Sequence, residues 1–201
     1  MSETPTMRPE PGSHIADPAA LGLGGFALTT FVLSMVNAGI VPAGVEPVVF
    51  GLAFAYGGIA QFAAGIWEFA KGNTFGATAF CSYGAFWLSF WWLTGHTDLS
   101  GAGADANKGV GLYLLAWGIF TLYMTIAASK TNGAVFVVFV LLTITYFLLA
   151  FGEFGSDAAG DGITAVGGYL GLLTAIAAWY ASFATVTNFT FKRTVLPTFP
   201  R

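Results

Sequence analysis

Gly133-Ala-Val-Phe-Val-Val-Phe-Val-Leu-Leu-Thr-Ile-Thr-Tyr-Phe-Leu-Leu-Ala-Phe-Gly152 runs for twenty residues without a charge. At 1.5 Å of rise per residue, a helix of about that length crosses the roughly 30 Å hydrocarbon core of a bilayer. Turn material bounds it, Lys130-Thr-Asn-Gly on one side and Gly155-Ser-Asp on the other. Working outward, five more stretches have the same character: Leu21–Val41, Pro47–Phe69, Phe75–Thr94, Gly109–Ser129 and Ile163–Asn188. Their apolar runs are continuous, whereas a membrane strand alternates apolar and polar residues over about 10 positions. The expected fold class is therefore all-α. Six transmembrane helices form a compact bundle over residues 21–190, with polar tails at 1–20 and 191–201. The dividers are so short that successive helices must be antiparallel neighbours.

Composition agrees. Charged residues are 8% of the 201, and the mean hydropathy is +0.73. An ordinary soluble domain carries about 25% charged residues, so here there is too little charge to clothe a surface in water. The first twenty residues lack a basic region leading into a short apolar core, which predicts a permanent first span rather than a cleaved signal peptide. Arg8, Lys71, Lys130, Lys192, Arg193 and Arg201 fall on one side of the bundle and Lys108 alone on the other. The excess of Lys and Arg in cytoplasmic loops then predicts a multi-pass protein of the inner or plasma membrane with both termini in the cytoplasm. Glu46, Asp98, Asp105, Glu153, Asp157 and Asp161 fall on the opposite side, and Trp67, Trp91 and Trp92 lie near span ends, where interfacial aromatics belong.

Lipid tails provide no hydrophobic drive between helices, so close backbone contact and polar pairs must hold them together. Ala53, Gly57, Gln61 and Gly65 form one stripe at four-residue spacing, and Gly167, Gly171 and Ala175 form another. With 27 glycines in all, they predict tight packing, either within one chain or between chains.

The available chemistry excludes most function classes. No nucleophile, base and acid occur at a catalytic spacing, and there is no P-loop; Gly22-Leu-Gly-Gly opens a membrane helix with no strand before it. Seven basic residues are too few for nucleic acid. No lysine sits deep in a span to hold retinal, and no span carries serial charges. Cys81 is alone, so no disulfide forms within the chain, and His14 and His96 lie far apart; no metal and no cofactor are expected. The intramembrane polar candidates are Asn37, Gln61, Glu68, Thr78 and Ser82. Gln61, in mid-span, either makes an interhelical hydrogen bond or lines a pore. Glu68, near a span end, either snorkels or pairs with Lys71, or it takes part in proton coupling. Thr143 and Thr145 fit bonds to their own helix carbonyls. Uncharged donors and aromatic walls suit a small monocarboxylic acid, whose neutral form crosses an apolar constriction far more cheaply than its anion. A dicarboxylate or nucleotide would call for fixed Arg or Lys clamps. Formate, glycerol, urea and ammonia stay open on these grounds.

Four strings narrow the choice. Asp17-Pro-Ala-Ala-Leu-Gly-Leu-Gly-Gly-Phe resembles the Asn-Pro-Ala-Pro-Leu-Gly-Leu signature of the acetate uptake transporter family. Phe54-Ala-Tyr-Gly-Gly-Ile-Ala-Gln is similar to that family's second-helix motif. Lys71-Gly-Asn-Thr-Phe-Gly-Ala-Thr-Ala-Phe-Cys-Ser-Tyr-Gly-Ala-Phe-Trp is similar to its most distinctive run, and Arg193-Thr-Val-Leu-Pro to its C-terminal tail. The strings stand in the family's order and span nearly the whole chain. The resemblance implies a permease or channel for acetate, with succinate and protons as further partners. It also implies a homo-hexamer in which each protomer holds its own pore, narrowed by a hydrophobic gate. By motif position Phe26 and Tyr83 belong to that gate, and Leu142 is the candidate from the fifth span. Asp17, Pro18, Leu21 and Gly22 carry the cytoplasmic signature. Two departures stand out: Asp17 replaces the usual Asn, and Ala20 the second Pro. Asp17 would repel an anion unless it is paired or caps the first helix, and an acid before Pro18 fits a cap.

Overall fold

The computed structural model describes residues 14–200, the side chain of residue 104 excepted. Arg8, Arg201 and residues 1–13 of the expected N-terminal tail lie outside the described residues. The helices are α1 (Ala19–Asn37), α2 (Val48–Phe54), α3 (Gln61–Lys71), α4 (Thr74–His96), α5 (Ala106–Ala128), α6 (Gly133–Gly155) and α7 (Gly162–Phe191). Among the described residues there are isolated bridge contacts but no extended strand pairing.

Side chains in the dividers set where helices begin. Asn73 caps α4 by accepting from the Gly76 N–H at 3.1 Å, and Asn132 caps α6 by accepting from Val135 at 3.0 Å. Asp157 accepts from the Ile163 N–H at the start of α7, at 2.7 Å. Gly72 closes α3 with φ +81°, a left-handed turn that a Cβ would oppose. At the start of α1, Pro18 occupies the cap position, and Asp17 accepts from the Ala19 N–H at 3.1 Å.

The second expected span is one rod in three parts: α2, a π-helical segment over Ala55–Ala60, and α3. The widened turn lets α1 come close. A Cβ on Gly25 would sit 2.7 Å from the Tyr56 carbonyl oxygen, so only glycine fits there. Both small-residue stripes serve contacts within the chain. Gly57 faces Thr29 and Trp87, Gly65 faces Cys81, Gly167 meets Leu149, and Gly171 meets Ser34.

Among the described residues, five helices are long and apolar enough to cross a membrane: α1, the Val48–Lys71 rod, α5, α6 and α7. α4 has 23 residues, none of them Asp, Glu, Lys or Arg, but its Trp, Tyr, Ser, Thr and Gly content lowers its apolarity. α7 is longer than expected. Its 30 residues make a rod of about 45 Å at 1.5 Å per residue, so it overshoots the hydrocarbon core. The tail after it is not free. Asn188 accepts from the N–H groups of Val195 and Leu196 and donates to the Leu196 carbonyl, the Tyr180 hydroxyl donates to Pro197, and Gly133 donates to Phe199 at 2.7 Å.

α1 packs on α7, α7 on α6, α6 on α5, and α3 on α4; α4 and α5 stand further apart and close the ring. Rings fill that wider seam, with Phe86 stacked on Tyr113 at 5.8 Å and edge-on to Trp117 at 5.3 Å. Outside, Leu112, Ile119 and Ile126 on α5 and Val166, Leu173, Ile176 and Phe183 on α7 are exposed. Such a continuous apolar surface is incompatible with water. The molecule is an integral membrane protein. Lys71, Lys130, Lys192 and Arg193 gather at one end of the bundle, the basic end, and Glu46, Asp98, Glu153 and Asp157 at the other, the acidic end.

Candidate transport pathway

Two cavities enter the bundle from opposite ends. The acidic-end cavity, of about 470 Å³, lies among α1, α4, α5 and α6. The basic-end cavity, of about 190 Å³, lies among α1, α3, α4, α6 and α7 and is capped by Thr198 of the tail. On each of three helices one to two turns separate them. Leu23 lines the basic-end cavity and Phe26 the other; on α6 the pair is Phe139 and Leu142; on α4 it is Phe80 and Phe86. Tyr83 lies in that interval on α4.

The Tyr83 ring stands 5.8 Å from Phe26, 6.0 Å from Phe139 and 5.5 Å from Phe120, centroid to centroid. Phe26, Tyr83 and Leu142 are 4%, 3% and 4% exposed, so none of them faces the acyl chains. The Tyr83 hydroxyl donates to Thr121 Oγ1 at 2.9 Å, and Thr121 donates to the Trp117 carbonyl at 2.7 Å. The partition between the cavities is therefore apolar, with its one hydroxyl turned aside to α5.

Above the partition, two buried donors have no partner among the described residues: Thr30 Oγ1 and Trp87 Nε1, both on residues that line the acidic-end cavity. A buried unmade hydrogen bond costs about 1–3 kcal/mol, and an indole N–H can only donate. Two buried neutral donors without a partner, on residues that line one cavity, suit an uncharged or singly charged oxygen ligand that a small side-chain shift would let them reach. That wall carries Glu46, Glu153 and Asp157 but no Lys or Arg. Burial raises the Glu46 carboxyl above its usual range, which favours its neutral form at the mouth.

Below the partition, Glu68 is fully buried on the wall of the smaller cavity. Its Oε2 accepts from Asn73 Nδ2 at 2.9 Å, and its Oε1 has no partner. Lys71 does not pair with Glu68, as the sequence allowed, but with Asp17, at 2.9 Å. Asp17 thus both caps α1 and is neutralised.

A model of the GPR1/FUN34/yaaH family matches residues 2–200. The chain belongs to this family of acetate transporters. It is 43% identical, over 92% of its length, to the ammonia transport outward protein 2 of Saccharomyces cerevisiae, and it spans 66% of that longer protein. It is 40% identical to the succinate-acetate/proton symporter SatP of Escherichia coli K12, covering 92% of this chain and 96% of that one. The solved structure of the bacterial acetate channel SatP superposes with a TM-score of 0.82 at 40% identity, covering 92% of this chain and 99% of that one. The kinship expected from the four strings is thereby shown.

Against this family background, the remaining candidates separate. Asn37 lines the acidic-end cavity, and its carbonyl accepts from the Gly160 N–H at 3.0 Å. Gln61 is buried with Oε1 unpartnered, yet it is on neither cavity wall, and neither are Thr78 and Ser82. Asp17 lines the basic-end cavity, whereas Pro18, Leu21 and Gly22 do not; Gly22 lies against the Phe80 ring. Thr143 and Thr145 bond back to Phe139 and Leu141, and each also reaches a neighbouring helix, through Thr125 at 2.7 Å and Thr174 at 3.3 Å.

Sequence reasoning missed Thr30, Trp87, Phe139 and Asn73. Trp87 ends the longest family string and Asn73 lies within it, so a signal was present for both. Thr30 gave none, since a threonine in a membrane helix ordinarily bonds to its own backbone, as Thr29 does with Gly25.

Proposed function

We propose that the protein carries acetate across the membrane along a path inside each protomer, from the acidic-end cavity past Phe26, Tyr83 and Leu142 to the basic-end cavity. The single observation that carries this is the pair of cavities separated only by that apolar partition. Rings there disfavour an ion and favour a neutral molecule. Thr30 and Trp87 would hold the carboxyl group on one side, while the acids at the mouth and the missing Lys and Arg disfavour dicarboxylates. Acetic acid then crosses uncharged, so a proton travels with it.

Six crossings, with α4 as the sixth despite its polar content, place both tails on one side, and the basic end assigns that side to the cytoplasm. The apolar belt around α5 and α7 supports assembly into a hexamer. The chain then resides in the inner or plasma membrane, with succinate as a poorer substrate.

The test is uptake of labelled acetate into vesicles containing the purified protein. Uptake should exceed that of empty vesicles and rise with an inward proton gradient; equality with empty vesicles rejects the proposal. A second reading, passage of ammonia, is favoured by the name of the yeast relative. Unlabelled acetate that failed to slow ammonia flux would support it over acetate.

A further inference from the structure

Glu68 is a buried carboxyl with most of its hydrogen-bonding capacity unused. Ionised, its two oxygens could accept about four hydrogen bonds, yet only Asn73 supplies one. Asn73 is itself fixed, because its Oδ1 accepts from Gly76 while its Nδ2 donates to Glu68. Gly76 is required here, since a Cβ would fall 2.8 Å from the Glu68 carboxyl carbon. The charged groups nearby are Lys71 on the same helix and Asp17 before α1, and these two are bonded to each other. The other walls of the cavity present Val135 and Phe139 from α6, Ala181 and Thr185 from α7, and Thr198 from the tail, none of which ionises. An isolated buried carboxylate is costly, and a proton on Oε1 removes the charge and turns the bare acceptor into a donor that an acetate oxygen can accept from.

We infer that Glu68 is the proton acceptor and donor of the transport cycle. This rests on the proposed acetate pathway and names the residue that handles its proton. Acetic acid reaches the basic-end cavity with its O–H intact. That bond breaks, the proton binds Oε1 of Glu68, and the negative charge passes from Glu68 to acetate. The anion leaves past Lys71, and Glu68 releases its proton to water at the same end. Atoms and charge balance with no other reactant, and the reverse order serves export.

The test compares wild type with Glu68→Gln, which keeps the shape and an acceptor for Asn73 but neither gains nor loses a proton over the working pH range. The readout is the ratio of acetate uptake with an inward proton gradient to uptake at equal pH. The ratio should be several-fold in wild type and clearly lower in the variant, whose remaining ratio is what the uncharged acid carries by itself. A variant ratio equal to that of wild type overturns the assignment while leaving acetate transport in place; a wild type that takes up no acetate removes the transport reading instead. A second measurement needs no variant. A hydrophobic carbodiimide, which attacks protonated carboxyls in apolar surroundings, should modify Glu68 in the wild-type protein, and acetate should slow the reaction. Modification elsewhere only, or a rate indifferent to acetate, also overturns it.

Discussion

Trp87 shows what a single residue contributes. Its indole N–H has no partner among the described residues, so losing that N–H should cost the fold no hydrogen bond while costing the ligand one. Trp87→Phe removes that donor together with some buried ring volume, so it should lower the melting temperature by a few degrees and also weaken acetate competition by about tenfold, the equivalent of roughly 1.4 kcal/mol. A lower melting temperature with unchanged competition would instead make the indole a packing residue. Tyr83 is different, because its hydroxyl is already engaged with Thr121. Tyr83→Phe should lose about 1 kcal/mol of stability and keep selectivity for acetate, whereas Tyr83→Ala opens the partition and should admit larger monocarboxylates in the same vesicle assay. Glu46 carries a pH dependence. Its folded-state carboxyl is raised by burial, so its favourable contribution is complete below the unfolded pKa and is lost as pH rises through the folded one. Glu46→Gln should therefore be more stable than wild type at neutral pH and no more stable at acid pH, as read by thermal melting at both.

At the scale of elements, helix contacts here depend on missing side chains. Gly168 on α7 meets the backbone of Asn37 and Ala38 at the end of α1. A methyl there has nowhere to go, because backbone cannot swing aside as a side chain can. Gly168→Ala should destabilise by about 1–3 kcal/mol. Gly109 on α5 has nothing within 4 Å of its missing Cβ, and Gly109→Ala should stabilise by up to about 1 kcal/mol through helix propensity. Opposite signs from the same chemical change would confirm that α1–α7 contact, rather than glycine content, sets the fit. The break in the second rod belongs to this scale too. Nothing in its apolar run announces a π-helical segment; the need of α1 to pass close to Tyr56 makes room for it.

For the whole molecule, an apolar belt faces outward while the core is mostly apolar as well, as a lipid surround allows. If protomers assemble through that belt, native mass measurement in lipid should give six copies, each conducting, so that mixing wild-type and inactive protomers lowers flux in proportion to their share. What the sequence determined by itself was the local part: where the helices run to within a few residues, the acid that caps the start of α1, the end of the bundle at which each charge falls, and the family. Each of these depends on residues a few positions apart, because a helix closes its hydrogen bonds within itself. Which way each side chain faces was decided only by tertiary structure. In helices apolar on all sides, periodicity names no inner face, and the partners that matter lie far apart in sequence: Tyr83 with Thr121, Asp17 with Lys71, and Phe26 with Tyr83. For the same reason Thr30 and Trp87 were not legible as open donors, nor Glu68 as a carboxyl without its lysine, until the packing had shown which of their neighbours were already taken.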